Sequence, residues 1–151
     1  DDAMPPILPL IGLALGAGAL LLAGGARARD GDLIRPLPAE TGDLSAYRWE
    51  KRPVVIFGAS AEDPDVRRQI EMLSAVRSGL RDRDIVVLTD TDPKALGRLR
   101  TGLALDGFAV LLVGKDGGVK LREDHPVTPD RLFALIDRMP MRRREMNGGQ
   151  S

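Results

Sequence analysis

A chain of 151 residues with 43% hydrophobic and 29% charged side chains has the composition of one globular domain, not of a disordered or fibrous segment. Lys and Arg together number 22, and so do Asp and Glu, which leaves no overall field of one sign to recruit nucleic acid. Cysteine is absent altogether, which excludes disulfide staples and every chemistry that needs a thiolate.

The first element is apolar. No charged side chain occurs from Ala3 to Ala26, and Ile7 to Ala23 consists of Leu, Ile, Ala and Gly with one proline. Such a run is an export signal or a membrane anchor. Ala26-Arg27-Ala28 places small residues where signal peptidase requires them and favours a cut after Ala28. If retained, the run is an anchor helix followed by Arg27 and Arg29, which the positive-inside tendency would keep on the cytoplasmic side. The chain is therefore read as periplasmic or secreted, or else membrane-anchored through residues 1–28. Residues 29–43, mixed in charge and interrupted by proline and glycine, read as a linker, 44–146 as the fold, and 147–151 as a disordered tail.

Within the fold, Val54-Val55-Ile56-Phe57 is a β-branched and aromatic run of the length of a buried strand. Asp63-Pro64 then supplies a cap and a first-turn proline, and Val66, Ile70, Leu73, Val76 and Leu80 recur at helical spacing. Ile85 to Leu88 is a second buried strand, parallel to the first because such crossovers are right-handed. Asp92-Pro93 opens a second helix carrying Leu96, Leu99 and Leu103. Ala109 to Val113 and Val119 to Arg122 flank Gly114-Lys115-Asp116-Gly117-Gly118, whose Asp-Gly pair signals a hairpin. The alternation of Val119-Lys120-Leu121-Arg122 gives that strand one wet face and an edge position. Thr128-Pro129 caps a last helix with Leu132, Leu135, Ile136 and Met139 in one stripe, ended by Pro140. The order β-α-β-α-β-β-α is the minimal thioredoxin-like topology, an α/β three-layer sandwich.

Four strings sharpen this: Leu44 to Arg52 before the first strand, Arg81-Asp82-Arg83-Asp84 before the second, the hairpin Gly114 to Arg122, and the ending Ile136-Asp137-Arg138-Met139-Pro140-Met141-Arg142-Arg143-Arg144-Glu145-Met146. Together they resemble a peroxiredoxin-like domain-of-unknown-function family of bacterial exported proteins, related to domains in vertebrate sushi-repeat-containing extracellular proteins. The resemblance spans Leu44 to Met146 and implies a thioredoxin-like fold and an extracytoplasmic setting. Through the vertebrate relatives it implies matrix or protein binding, which is an analogy of fold.

In thioredoxin-like enzymes the nucleophilic sulfur follows the first central strand, where the helix N-terminus stabilises the anion. Ser60-Ala61-Glu62-Asp63-Pro64-Asp65 stands there, with Glu62 and Asp65 near the places of a cysteine pair, and Ala109 replaces the facing proline. Carboxylates do not reduce peroxide. Glu62, Asp65 and Asp90 lie at the carboxyl ends of neighbouring strands, so they are candidate ligands for a hard divalent cation. The competing reading is helix capping. Ser60 and the single histidine, His125, would make a hydrolase only if the fold brought them together. Arg142, Arg143 and Arg144, with Arg138, Arg48, Lys51 and Arg52, form either a basic patch for an anionic envelope component or a solvated helix end. Trp49 is a candidate anchor for a protein partner, or else packs over the end of the core. No cofactor and no nucleic-acid partner is expected. The expectation is a non-redox, non-enzymatic binding or envelope-associated protein, against an enzyme or cation-binding domain built on the strand-end carboxylates.

Overall fold

Every position of Arg52–Phe57 is buried, as a strand covered on both faces requires. This strand, β2, lies at the centre of the fold of residues 33–148, the part that the computed structural model describes. Around it the sheet is completed by β1 (Ile34–Pro36), β3 (Ile85–Asp90), β4 (Ala109–Val113) and β5 (Val119–Glu123), in the spatial order β1-β3-β2-β4-β5. β3 runs parallel to β2 with Val54 opposite Val87, while β4 runs antiparallel with Val54 opposite Leu112.

Alternation along the strands divides the core. One face carries Val54, Ile56, Val87, Val110 and Leu112 against Val66, Leu73, Leu80, Leu132 and Ile136. Those partners come from α1 (Pro64–Ser74), α2 (Arg77–Asp82) and α4 (Pro129–Asp137). The other face carries Val55, Phe57, Val86, Leu88 and Leu111 against Leu44, Tyr47, Leu99 and Leu103. It is covered by a 3-10 turn at Ser45–Tyr47 and by the single-turn helix α3 (Arg98–Gly102).

The layers and the hairpin match expectation, and the departures have local causes. Within the expected linker of residues 29–43, Ile34–Pro36 pairs in parallel with Val87 to Thr89 as an edge strand. Three residues carry no readable period, and the strand ends on Pro36, which an edge position tolerates. The helix expected from Asp63 to Leu80 breaks at Ala75 and Val76 into α1 and α2. The helix expected at Asp92 is a 3-10 turn, Pro93–Ala95, stopped by Leu96 at φ 50°, before α3 begins. Pro140 ends α4 as expected and also opens α5 (Pro140–Gly148), so the expected tail is helical as far as Gly148. The apolar run Ile7 to Ala23 lies outside the described residues, among which no helix is long and apolar enough to cross a membrane.

Candidate functional site

The carboxyl ends of β2 and β3 are where this topology places ligands. Here the end of β2 turns directly into α1, while the end of β3 borders a dent of about 300 Å³ lined by Pro36, Thr89, Asp90, Asp92 and Gly97. Gly58 leaves β2 so near α1 that a Cβ would stand 2.2 Å from Val66 Cγ2. Ser60 to Asp63 form a turn, in which Asp63 Oδ1 accepts from the Asp65 N–H at 2.9 Å and caps α1. Glu62 and Asp65 point into solvent. Asp90 is buried against Arg100, whose Nη2 lies 3.1 Å from its Oδ1 and whose Nε lies 3.3 Å from its Oδ2. The same Nη2 donates to the Gly58 and Asp90 carbonyl oxygens at 2.8 Å, and the guanidinium sits 5.6 Å from the Phe57 ring centre.

Arg100 therefore ties the end of β2 to the end of β3. Asp90 is neutralised by this arginine and does not join Glu62 and Asp65. No group of three or more His, Cys, Asp or Glu side chains able to hold a metal ion occurs among the described residues. His125 is exposed and bonds Asp124 at 3.3 Å, so no Ser60–His125 pair forms. The sequence did carry a signal for Arg100: it falls four residues after Leu96 and three before Leu103, inside the apolar stripe.

The opposite end of the sheet is held by charge. Arg52, 1% exposed, donates to the Arg83 carbonyl at 2.9 Å and forms a two-point pair with Glu145 at 3.1 and 3.0 Å. Lys115 Nζ bridges Glu145 at 2.7 Å and Asp84 at 2.8 Å. Arg142 binds the Asp82 carboxylate at 2.7 Å, the Asp82 carbonyl at 2.9 Å and Asp137 at 3.1 Å. Arg83 completes the set on Asp137 and stacks 3.9 Å from the Phe133 ring centre. Hydrogen bonds from Arg83 hold the Asp137 carboxyl below the usual carboxylate range, against its partial burial. Burial pushes the Glu145 carboxyl up, but Arg52 and Lys115 outweigh it, so the net direction is down.

The expected triple-arginine patch is therefore divided. Arg142 is 5% exposed and structural, whereas Arg143 and Arg144 face solvent and make no ion pair among the described residues. Arg52 likewise leaves the patch for the interior. A basic residue at the mouth of a buried strand, with an acid far along the chain as its partner, shows no local sequence signal, which is why Arg52, Lys115 and Glu145 escape sequence reading.

Trp49 sits on the turn leading into β2, beside this network. Its N–H donates to the Lys115 carbonyl at 2.6 Å, while the Tyr47 carbonyl accepts from Glu50 and Lys51 at 3.0 and 2.9 Å. Its backbone is left-handed, φ 70°, and its side chain is 61% exposed, so it does not pack over the core. For a bulky residue that conformation costs roughly 1–2 kcal/mol. Arg48 and Lys51 on either side are exposed and make no ion pair among the described residues. The arrangement presents an aromatic ring on a rigid, cationic turn and holds no nucleophile.

Comparison with known proteins agrees with this layout. The family model described as "Domain of unknown function (DUF4174)" matches residues 43–145. Sushi repeat-containing protein SRPX of Rattus norvegicus is 35% identical over 120 residues, covering 68% of this chain and 26% of that protein. Coiled-coil domain-containing protein 80 of Danio rerio is 29% identical over 138 residues, covering 72% of this chain and 16% of that protein. The chain thus spans 26% and 16% of the length of these relatives. Among solved structures, reduced desulfothioredoxin from Desulfovibrio vulgaris Hildenborough superposes with a TM-score of 0.50 at 20% identity, covering 72% of this chain and 99% of that one. That likeness is one of fold. A match spanning β2 to α5, with the thioredoxin-like sheet beneath it, makes this chain a member of the DUF4174 family.

Proposed function

We propose that this chain is a non-redox, extracytoplasmic binding domain that engages a protein partner at the hairpin end of its sheet. The observation that carries the reading is Trp49, held in a left-handed turn by the Lys115 carbonyl with its ring in solvent. Strained, exposed aromatics are the residues interfaces use as anchors, and a rigid turn reduces the entropy lost on binding. The chemistry of the other end supports it, since a chain without cysteine, with Arg100 packed at the strand ends, has no means of thiol exchange. An extracytoplasmic setting is supported by the Ile7 to Ala23 run followed by Ala26-Arg27-Ala28. Similarity to one part of longer proteins named for sushi repeats suits a module that binds.

Cross-linking in intact cells, followed by fractionation, tests this reading. The wild-type chain is expected outside the cytoplasm and attached to a partner that Trp49→Ala no longer captures. Equal capture by Trp49→Ala, recovery in the cytoplasm, or peroxide consumption by the purified chain above buffer would overturn it.

A further inference from the structure

The loop between α3 and β4 carries an Asp-Gly pair, Asp106-Gly107, and the β4–β5 hairpin carries the same pair as Asp116-Gly117. The two are alike in sequence and opposite in setting. We propose that Asp106-Gly107 is a site of spontaneous backbone rearrangement to isoaspartate, and that hydrogen bonding protects Asp116-Gly117 from the same reaction. The inference stands apart from the binding reading above.

In the first step the Gly107 nitrogen attacks Cγ of the protonated Asp106 carboxyl. The N–Cγ bond forms, the Cγ–OH bond breaks, and the hydroxyl leaves as water with the proton from that nitrogen, closing a succinimide ring. Water then reopens the ring. Addition at Cγ restores aspartate, whereas addition at the main-chain carbonyl of Asp106 breaks its bond to the Gly107 nitrogen. The chain then runs through Cβ and Cγ, with the former main-chain carbonyl released as a free carboxylate. Nothing is oxidised or reduced, and water is the only co-reactant.

The attack needs a free carboxyl, a free nitrogen and a backbone able to turn. Asp106-Gly107 meets all three conditions. Both residues are exposed, and neither the Asp106 carboxyl nor the Gly107 N–H makes a hydrogen bond or ion pair among the described residues. The surroundings of Gly107 are open, since an added Cβ would meet nothing within 4 Å, and a residue without Cβ turns most readily. Asp116-Gly117 fails on each count. Asp116 Oδ1 accepts from the Gly118 N–H and Oδ2 from Lys120 Nζ, both at 2.9 Å. The Gly117 N–H donates to the Gly114 carbonyl at 3.0 Å, which fixes the turn. The Gly118 N–H and Lys120 also hold the Asp116 carboxyl below its usual range, so the protonated form that loses water is scarcer there. Asn147-Gly148, whose amide would lose ammonia in the same attack, is held in the helical backbone of α5. Asp30-Gly31 lies outside the described residues.

The rearrangement has a structural consequence. Leu105 packs on one face of the sheet and Phe108 on the other, so the pair is strung between two anchors. Isoaspartate lengthens the chain between them by a backbone atom, at the entry to β4.

The test is prolonged incubation of the folded full chain at about pH 5, where an ordinary carboxyl is partly protonated. Proteolysis, chromatographic separation of the peptides of equal mass and fragmentation that distinguishes aspartate from isoaspartate then give the product at each site. Isoaspartate is expected at position 106 at least about tenfold faster than at 116, and the gap is expected to fall below about threefold in urea, where the protecting hydrogen bonds are lost. Gly107→Ala, which has room for its methyl group, is expected to slow the reaction at Asp106 at least about fivefold with an unchanged melting temperature. No product at Asp106, equal accumulation at both sites in the folded chain, a gap that persists in urea, or an unchanged rate in Gly107→Ala would overturn the proposal.

Discussion

Arg100 shows how a single side chain can change what a scaffold end is able to do. Its guanidinium donates to two carbonyls and pairs with the buried Asp90 carboxylate at the carboxyl ends of β2 and β3. Removing one member of a buried pair leaves an uncompensated charge, which costs more than the pair contributes. Arg100→Ala is therefore expected to lower the unfolding free energy by about 3 kcal/mol, measured by urea denaturation. The double change Arg100→Met, Asp90→Leu is expected to recover part of that loss, because no buried carboxylate remains. A loss under about 0.5 kcal/mol in the single variant, the range of ordinary surface changes, would show that Arg100 is dispensable. Gln69 plays a comparable part on the other face, exchanging two hydrogen bonds of 2.9 and 2.7 Å with the Val127 backbone ahead of α4. Trp49 differs from both, since its N–H satisfies the Lys115 carbonyl while its side chain stays in solvent.

At the scale of elements, α5 is docked by charge instead of by an apolar stripe. Its one buried residue is Arg142, and Glu145 supplies its other inward contact. The distinctive string from Pro140 to Met146 is thus legible as a docking code: Arg142 to α2 and α4, Glu145 to β2 and the hairpin, Arg143 and Arg144 outward. Arg142→Met is expected to release α5 locally. Hydrogen exchange should show amides of residues 141–147 losing protection while those of β2 and β3 keep theirs, because elements with few buried apolar contacts open at lower free energy. Uniform loss over the whole sheet would mean instead that α5 belongs to the same cooperative unit as the core. The hairpin itself needs Gly117, whose φ of 87° few side chains tolerate, and this is the part of the hairpin that the Asp-Gly signal foretells.

Across the described fold, the faces of the sheet are held by apolar packing that pH does not touch, and its ends and the last helix by carboxylates that it does. Asp137 and Glu145 both titrate below their ordinary range in the folded state, held there by Arg83 and by Arg52 and Lys115. A depressed carboxylate contributes stability above its unfolded value, about 3.9 for Asp and 4.3 for Glu, and that contribution is lost as pH falls through the folded value. The melting temperature is therefore expected to stay level from about pH 7 to about pH 5 and to decline below it, with a shallower decline in Glu145→Gln. Stability that rises between pH 5 and pH 3 would contradict the assigned ion pairs.

Read alone, the sequence determined what depends on neighbours along the chain. Val54 to Phe57 and Ile85 to Leu88 are continuous apolar runs, Asp63 and Thr128 sit at helix starts, and Asp116-Gly117 marks a turn, so the strands, two caps and the hairpin were legible from local chemistry. The missing thiol was equally a matter of composition. Only the tertiary structure decided that Ile34–Pro36 belongs to the sheet, that Asp90 is spent on Arg100, and that Arg142 is interior while Arg144 is not. Each of those depends on which distant residue stands opposite, across separations of 10 to 93 positions in the pairs that matter. A charge written in sequence has no fixed meaning until its partner and its distance from water are known, because burial and pairing act on it with opposite signs.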